Sequence, residues 1–265
     1  MRKAAQRRQV PLPMLVPAVL GLLFLALPLA GLVVEAPWTT LPRRLTEPAV
    51  LEALWLSVST ATVATLASIA AGVPLAWILA RVEFRGKRFV RALVTVPLVL
   101  PPVVGGVALL LVFGRKGPVG SLLESWFGVS LAFNTAGVVL AMVFVAMPFL
   151  VISVEGSLRG ADVRFEEAAA TLGADRWTAF TRVTLPQAAP GVIAGAVLCW
   201  ARALGEFGAT ITFAGNFPGR TQTMPLAVYM ALETDLEAAL VLSLILLAVS
   251  VAALVGLKNR WLNPS

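Results

Sequence analysis

Histidine is absent from the 265 residues, and cysteine occurs once, at Cys199. Without histidine the chain lacks the commonest metal ligand and general base, which argues against a zinc protease built into a membrane. A single cysteine rules out an intrachain disulfide. Lying within an apolar run, Cys199 reads as a buried, inert thiol and leaves the redox compartment open. Nucleotide hydrolysis has no home either: Gly86-Lys87 lacks a preceding glycine-rich turn, and no Gly-Lys-Ser or Gly-Lys-Thr occurs. Paired carboxylates near a membrane interface are missing as well, so no catalytic residue, cofactor or metal is expected. Charge is scarce, with only 13% of residues charged.

Apolar residues fill the space that charge leaves. They make up 58% of the chain, and the mean hydropathy is +0.88, far more apolar surface than one soluble core buries. A hydrocarbon core of about 30 Å needs roughly 20 apolar residues per spanning helix. Stretches 13–34, 54–80, 92–113, 134–154, 191–213 and 238–257 meet that need, which predicts an all-α membrane protein of about six transmembrane helices. The first stretch follows Arg2, Lys3, Arg7 and Arg8 as a signal peptide would. Its apolar run is too long for one and lacks a clean small-x-small cleavage site, so a retained helix is expected.

The net charge of +7 raises nucleic acid or acidic lipid as partners, and the placement of the charges decides between them. Of the 21 basic residues, four precede residue 12, five lie between Arg81 and Arg91, four between Arg159 and Arg182, and Lys258 and Arg260 follow the last span. The opposite loops hold only Arg43, Arg44, Arg115, Lys116 and Arg220, while Arg202 falls inside a span. Cytoplasmic loops retain positive charge, so the count predicts both termini inside the cell. The partner is then the bilayer and not nucleic acid. The expected organisation is a tail over 1–12, a transmembrane domain over 13–257 with a cytoplasmic loop at 155–187, and a tail over 258–265. Trp38, Trp55, Trp77, Trp126 and Trp261 near the span ends read as headgroup anchors.

The loop 155–187 carries the most information. Asp162 is a good N-cap, the run through Glu166, Glu167, Ala168, Ala169 and Ala170 favours helix, and Gly173 suits the position after its end. Asp175 can cap a second short helix through Phe180, expected to stop at Leu185-Pro186 before the next membrane entry. The alanine face is small enough for another protein to approach closely.

Glu167-Ala168-Ala169, then Gly173 after three residues, then Val183-Thr184-Leu185-Pro186 after nine more, resembles the permease signature of bacterial ABC importers. Val183 departs by one methylene from the isoleucine of that pattern. The resemblance implies a type I ABC importer permease fold in which the helix around Glu167 fits a cleft on a separate ATPase. Glu167, Ala168, Ala169, Gly173, Leu185 and Pro186 are thereby assigned to ATPase coupling. A second stretch, Ala201 to Thr210 followed by Phe213-Ala214-Gly215-Asn216 and Gly219 to Thr223, resembles permeases for molybdate, tungstate and sulfate, and more the molybdate/tungstate branch. Implied partners are a second permease copy as a homodimer, two cytoplasmic ABC ATPase subunits and an external oxyanion-binding protein, with the chain in the inner, or cytoplasmic, membrane of the cell.

Candidate pathway or gate residues are Arg202, Gly205, Glu206, Phe207 and Gly208. Arg202 and Glu206 stand four apart on one predicted helix, able either to satisfy each other or to bias a route toward an oxyanion. Gly205 and Gly208 suit a gate or a close helix contact. Gly191 and Gly195 form a small-xxx-small packing pair. Pro97, Pro101, Pro102, Gly105 and Gly106 break the third span, and broken backbone at membrane depth must be protein-buried or line an aqueous path. The alternatives are a sulfate or thiosulfate permease, a self-sufficient secondary anion transporter, for which Glu206 alone offers little proton relay, and a membrane-embedded enzyme.

Overall fold

Proline opens many of the helices. Its missing N–H costs nothing in a first turn, where no intrahelical partner exists, and its fixed φ suits helix entry. A computed structural model describes residues 12–261, with side chains from 13 to 255. In chain order α1 runs Leu12–Val34, the one-turn α2 Leu41–Arg44, α3 Pro48–Arg81, α4 Lys87–Val99, α5 Pro102–Phe113, α6 Pro118–Phe127 and α7 Thr135–Gly160. Two short helices follow, α8 Arg164–Thr171 and α9 Arg176–Ala179, and then α10 Leu185–Leu204, α11 Gly208–Phe213, α12 Met224–Thr234 and α13 Leu236–Trp261. Proline stands in the first turn of α2, α3, α5, α6, α10 and α12. No strand occurs among the described residues. Arg2, Lys3, Arg7 and Arg8 lie outside them, as do the side chains of Lys258, Arg260 and Trp261.

Among the described residues five helices are long and apolar enough to cross a membrane, and α4 with α5 supplies a sixth crossing if the bent pair is one span. The core joins α3, α7 and α10. Ala61, Ala64 and Ala76 of α3 meet Ala146, Leu150 and Val151 of α7 and Cys199 and Ala203 of α10. Small side chains suit this seam, because lipid offers no hydrophobic drive between helices and association rests on close packing. A Cβ at Gly191 would collide with Ser157, and one at Gly195 would come within 3.0 Å of Ser153 Cβ. The pair predicted from spacing is therefore the α10 side of the α7 contact, closed by Ser153 Oγ donating to Gly191 O at 3.0 Å. A second cluster joins the start of α3 to α12 and α13 through Val50, Ala53, Met224, Leu242 and Ile245. Outermost is α1, which rests on α13 and turns Leu22, Phe24 and Leu25 outward.

Several expected spans are differently built. The third, 92–113, is two helices meeting at 119°. Leu100 and Pro101 are extended at the break, since a proline disfavours helical geometry in the residue before it and donates no N–H itself. The fifth, 191–213, ends at Leu204, and Gly205-Glu206-Phe207 separates it from α11. Within the loop 155–187, residues 155–160 are helical, as the last turns of α7. Leu185-Pro186 does not stop the second short helix. A π-helical turn over Phe180–Thr184, with Leu185 N–H bonded to Phe180 O, carries α9 straight into α10. The wider turn shifts the hydrogen-bond register just before Pro186, which has no N–H to offer. Trp38, Trp55 and Trp126 are exposed as anchors would be, whereas Trp77 is partly buried against Phe180.

Filling the α7–α10 seam is expected to destabilise the bundle. Gly191→Val should lower the melting temperature of the detergent-purified protein by the equivalent of about 1–3 kcal/mol, the usual cost of overpacking. Gly31→Val, at a position with open space around it, should leave the melting temperature unchanged.

Candidate functional site

The predicted loop helix is built by local rules. Asp162 Oδ1 accepts from Arg164 N at 3.0 Å and starts α8. Its end is a Schellman motif: Gly173 N donates to Ala170 O and Ala174 N to Ala169 O, both at 3.0 Å, with Gly173 at φ +86°. Asp175 Oδ1 then accepts from Thr178 N at 2.9 Å and caps α9. The Thr178 hydroxyl and N–H hold the Asp175 carboxyl below its ordinary value, so the cap carries full charge at neutral pH. Four predicted residues, Glu167, Ala168, Ala169 and Gly173, thus share one exposed hairpin of helices. Leu185 and Pro186 belong instead to the first turn of α10, with Leu185 packed on the core.

Adjacent acids on α8 differ in surroundings. Glu166 Oε1 receives Arg81 Nη2 at 3.0 Å and Nε at 3.1 Å, tying α8 to the end of α3, while Glu167 is exposed. Trp77 of α3 meets Phe180 edge-on, ring centres 5.8 Å apart, and Phe180 in turn meets Trp177. Between α3 and the loop a cleft of about 470 Å³ is lined by Trp77, Arg81, Glu166, Ala170, Arg176 and Phe180. Around the hairpin, Phe165, Leu172 (88% exposed) and Trp177 (70% exposed) project outward. These apolar side chains, held out on a segment beyond the spans, form an uncovered surface.

The pathway candidates lie at the break after α10. Glu206, 1% exposed, meets Arg202 Nη2 at 2.6 Å through Oε2, a charge contact without the alignment of a hydrogen bond. Its other oxygen accepts from Ala209 N at 2.8 Å and so caps the start of α11. The carboxylate bridges two helices rather than pairing within one. A Cβ on Gly208 would lie 2.9 Å from Pro102 Cβ, and one on Gly106 would lie 2.6 Å from Thr212 Cβ, so α11 and α5 touch backbone to backbone. A Cβ on Gly205 would meet only Ala201 O, at an ordinary 3.7 Å, so this glycine makes no such contact. Phe207 turns away from the pair, its ring 5.2 Å from that of Tyr229, into an apolar groove of about 480 Å³ beside α1 and α13.

Residues 72–265 match the family described as binding-protein-dependent transport system inner membrane component. The chain belongs to this family. Among its relatives, the molybdenum transport system permease protein of Mycobacterium tuberculosis is 49% identical over 244 residues, 92% of either chain. That of Escherichia coli is 43% identical over 211 residues, covering 80% of this chain and 92% of the relative. A probable sulfate transport system permease protein of Marchantia polymorpha is 37% identical over 238 residues, covering 88% and 82%. In fold, the chain is similar to a bacterial ABC transporter that imports the acidic polysaccharide alginate, with a TM-score of 0.76 at 17% identity, covering 94% and 93% of the two chains. A methionine ABC transporter in inward-facing conformations gives a TM-score of 0.63 at 17% identity, covering 80% and 94%. The fold is that of a type I ABC importer permease.

Sequence reasoning missed the residues that fasten this permease's loop end. Glu155 Oε1, nearly buried, collects Arg91 Nη2 at 2.8 Å and Arg159 Nη2 at 2.7 Å, and Arg91 Nη2 also reaches Leu79 O at 3.5 Å. Arg81, Arg91 and Arg159 entered the orientation count only as charges. An acid four residues before an arginine, Glu155 and Arg159, was the one local signal available.

Two substitutions separate these roles. Glu155→Gln strands two guanidinium groups and should cost about 1–3 kcal/mol in thermal unfolding, below the value for a fully buried pair because both arginines keep solvent. Glu167→Gln should cost nothing measurable there. At the other break, Glu206→Ala removes both the counter-ion of Arg202 and the acceptor for Ala209 N. It should destabilise by about 3 kcal/mol, and more than Glu206→Gln, which keeps an acceptor.

Proposed function

We propose that this permease imports molybdate-type tetrahedral oxyanions, paired with a second copy of itself, driven by two ABC ATPase subunits and fed by an external binding protein. The observation that carries the reading is the exposed α8–α9 hairpin with its signature spacing, joined to relatives named for molybdenum transport at 43–49% identity. Tungstate shares the anion's shape, and selectivity among such anions falls largely to the binding protein. Both termini and the hairpin face the cytoplasm in this reading, supported by the excess of basic residues at that end. The domain limits follow: a tail over 1–12, the permease over 13–257 and a tail over 258–265. The membrane is the cell's inner, or cytoplasmic, membrane, in keeping with the family's description.

Mechanically, ATPase closure draws the two hairpins of the dimer together. Glu167, Ala168 and Ala169 form the face that enters the ATPase cleft, and Gly173 holds the turn that presents it. Displacement of α8 pulls α3 through Arg81 and Glu166, while α9 pushes α10 directly, since the π-turn leaves no flexible joint. Leu185 and Pro186 form the entry of that lever. At its far end α10 meets the break where Arg202, Gly205, Glu206, Phe207 and Gly208 lie, so tilting α10 moves the pathway. Arg202, already neutralised by Glu206, attracts a passing anion without holding it. ATP hydrolysis on the partner then resets the cycle.

Hydrolysis in proteoliposomes containing the permease, its ATPase and the binding protein tests this reading. Molybdate-loaded binding protein should raise ATP turnover over the empty one. Gly173→Val, which forces a branched side chain into the left-handed region at about 1–2 kcal/mol, should lower the stimulated rate about tenfold. Gly173→Asn should keep most of it, since asparagine tolerates that conformation. Anion uptake without any ATPase present would instead make the chain a secondary transporter.

A further inference from the structure

The end of the bundle opposite the hairpin holds a cleft that the pathway just described does not use. Helix α7 starts there, after Asn134, and ends beside the hairpin at Gly160. The loops before α6, α7 and α12 enclose about 500 Å³ lined by Arg115, Ser130, Phe133, Asn134, Phe217 and Arg220. They are fastened to one another and to the helices. Arg115 Nε donates to Ser130 Oγ at 3.3 Å, Phe133 N to Phe213 O at 3.3 Å, and Thr135 Oγ1 to Arg220 O at 2.9 Å. Phe133 takes φ +60°, and its ring and that of Phe217 close over Gly215, where a Cβ would come 3.3 Å from one and 2.9 Å from the other. Asn134 is committed to the start of α7, its Oδ1 accepting from Gly137 N at 3.0 Å and its Nδ2 donating to Ser130 O.

Positive charge at this end has no topological explanation. In the proposed orientation these loops are external and shed basic residues, yet of the five they keep, two line one cleft. Arg44 is paired with Asp235 at 2.9 Å, whereas Arg115 and Arg220 keep open donors. No acid lines the cleft. Glu124 stands 3.9 Å from Arg115 Nε, beyond a hydrogen bond, and although Glu52 lies against Gly219, Arg220 makes no ion pair among the described residues. Two cations between the apolar walls of Phe133 and Phe217 focus their field on an incoming anion. The cleft also leads to the pathway. Phe213, whose carbonyl holds Phe133 N, ends α11, and the start of α11 is capped by Glu206 beside Arg202. With six residues, α11 puts about 9 Å of helix between the two.

We propose that this cleft is an entry station for a tetrahedral oxyanion, held by the guanidinium groups of Arg115 and Arg220 with the Ser130 hydroxyl donating to it, before the anion passes along α11 to Arg202. The site rests on the importer reading for its side of the membrane and its anion. A dianion matches the two charges, and each guanidinium offers paired N–H donors to two oxygens. Because Arg115 is 69% exposed and Arg220 is exposed as well, water competes for the donors, and the station collects the anion without retaining it.

Binding of radiolabelled molybdate to the assembled permease and ATPase, without nucleotide or binding protein, tests this by equilibrium dialysis at constant ionic strength. Arg115→Gln and Arg220→Gln should each weaken binding about tenfold, the loss of one charge-assisted contact. Melting temperatures should not change, since both side chains are exposed. Arg43→Gln, which removes the same charge from an external loop outside the cleft, should leave binding intact. Equal weakening by Arg43→Gln would overturn the cleft in favour of a diffuse external field, and unchanged binding in both cleft variants would overturn it outright. If those variants lose affinity for the binding protein while still binding molybdate, the arginines dock that partner and the oxyanion assignment falls. Binding-protein-stimulated hydrolysis by the unaltered complex is measured in parallel. If it persists while the complex binds no molybdate, the cleft assignment fails and the importer reading stands.

Discussion

Every backbone N–H and C=O at membrane depth must find a partner inside the protein, and this architecture turns on how two broken helices meet that demand. The α4–α5 elbow at Leu100-Pro101 and the break at Gly205-Glu206-Phe207 would each leave polar groups facing lipid if they stood alone. They are packed together. Gly208 lies on Pro102, Gly106 lies on Ala209 and Thr212, and Glu206 Oε1 accepts from Ala209 N. Each break shields the other. The absence of a side chain on both glycines lets two backbones come close enough to exclude lipid.

The carboxylate at the centre of this contact is committed on both oxygens, one to Arg202 and one to α11. Arg202 is consequently held at the end of α10 with its charge balanced. A bare guanidinium at this depth would force water into the bundle. The same economy appears at the hairpin end, where Glu155 and Glu166 hold arginines from α3, α4 and α7. Acids are few in this chain, and Glu155, Glu166 and Glu206 each hold elements together.

How much of this the sequence disclosed depends on the range of the interaction. Number of crossings, the α8–α9 hairpin and the Gly191–Gly195 seam all come from patterns within about twenty residues, and sequence reading recovers them. Schellman geometry at Gly173 and the Asp175 cap were legible for the same reason. Other features depend on what packs where. Nothing local says that α9 continues into α10, because a proline after a short helix ordinarily ends it, and the π-turn that rescues continuity is fixed by Phe180 lodging against Trp77. The bend of 119° at Pro101 was foreseen as a weakness but not as a near reversal. Its size is set by the α11 surface that α5 must reach.

The charged contacts were the least legible. Glu155 and Arg91 are 64 residues apart, and Arg81 and Glu166 are 85 apart. In a positive-inside count such arginines all look alike. Structure divides them into those that fasten helices and those that stay free, and the division follows chain geometry. Arg81 and Arg91 flank the α3–α4 elbow and point back across it toward α7 and α8. Arg88, one helical turn before Arg91 and rotated about 60° from it, is exposed and pairs with no acid among the described residues. One run of basic residues therefore serves topology, helix fastening and an open basic surface at once. Charge decides which side of the membrane the run occupies, and helical phase decides which of its members remain available to bind.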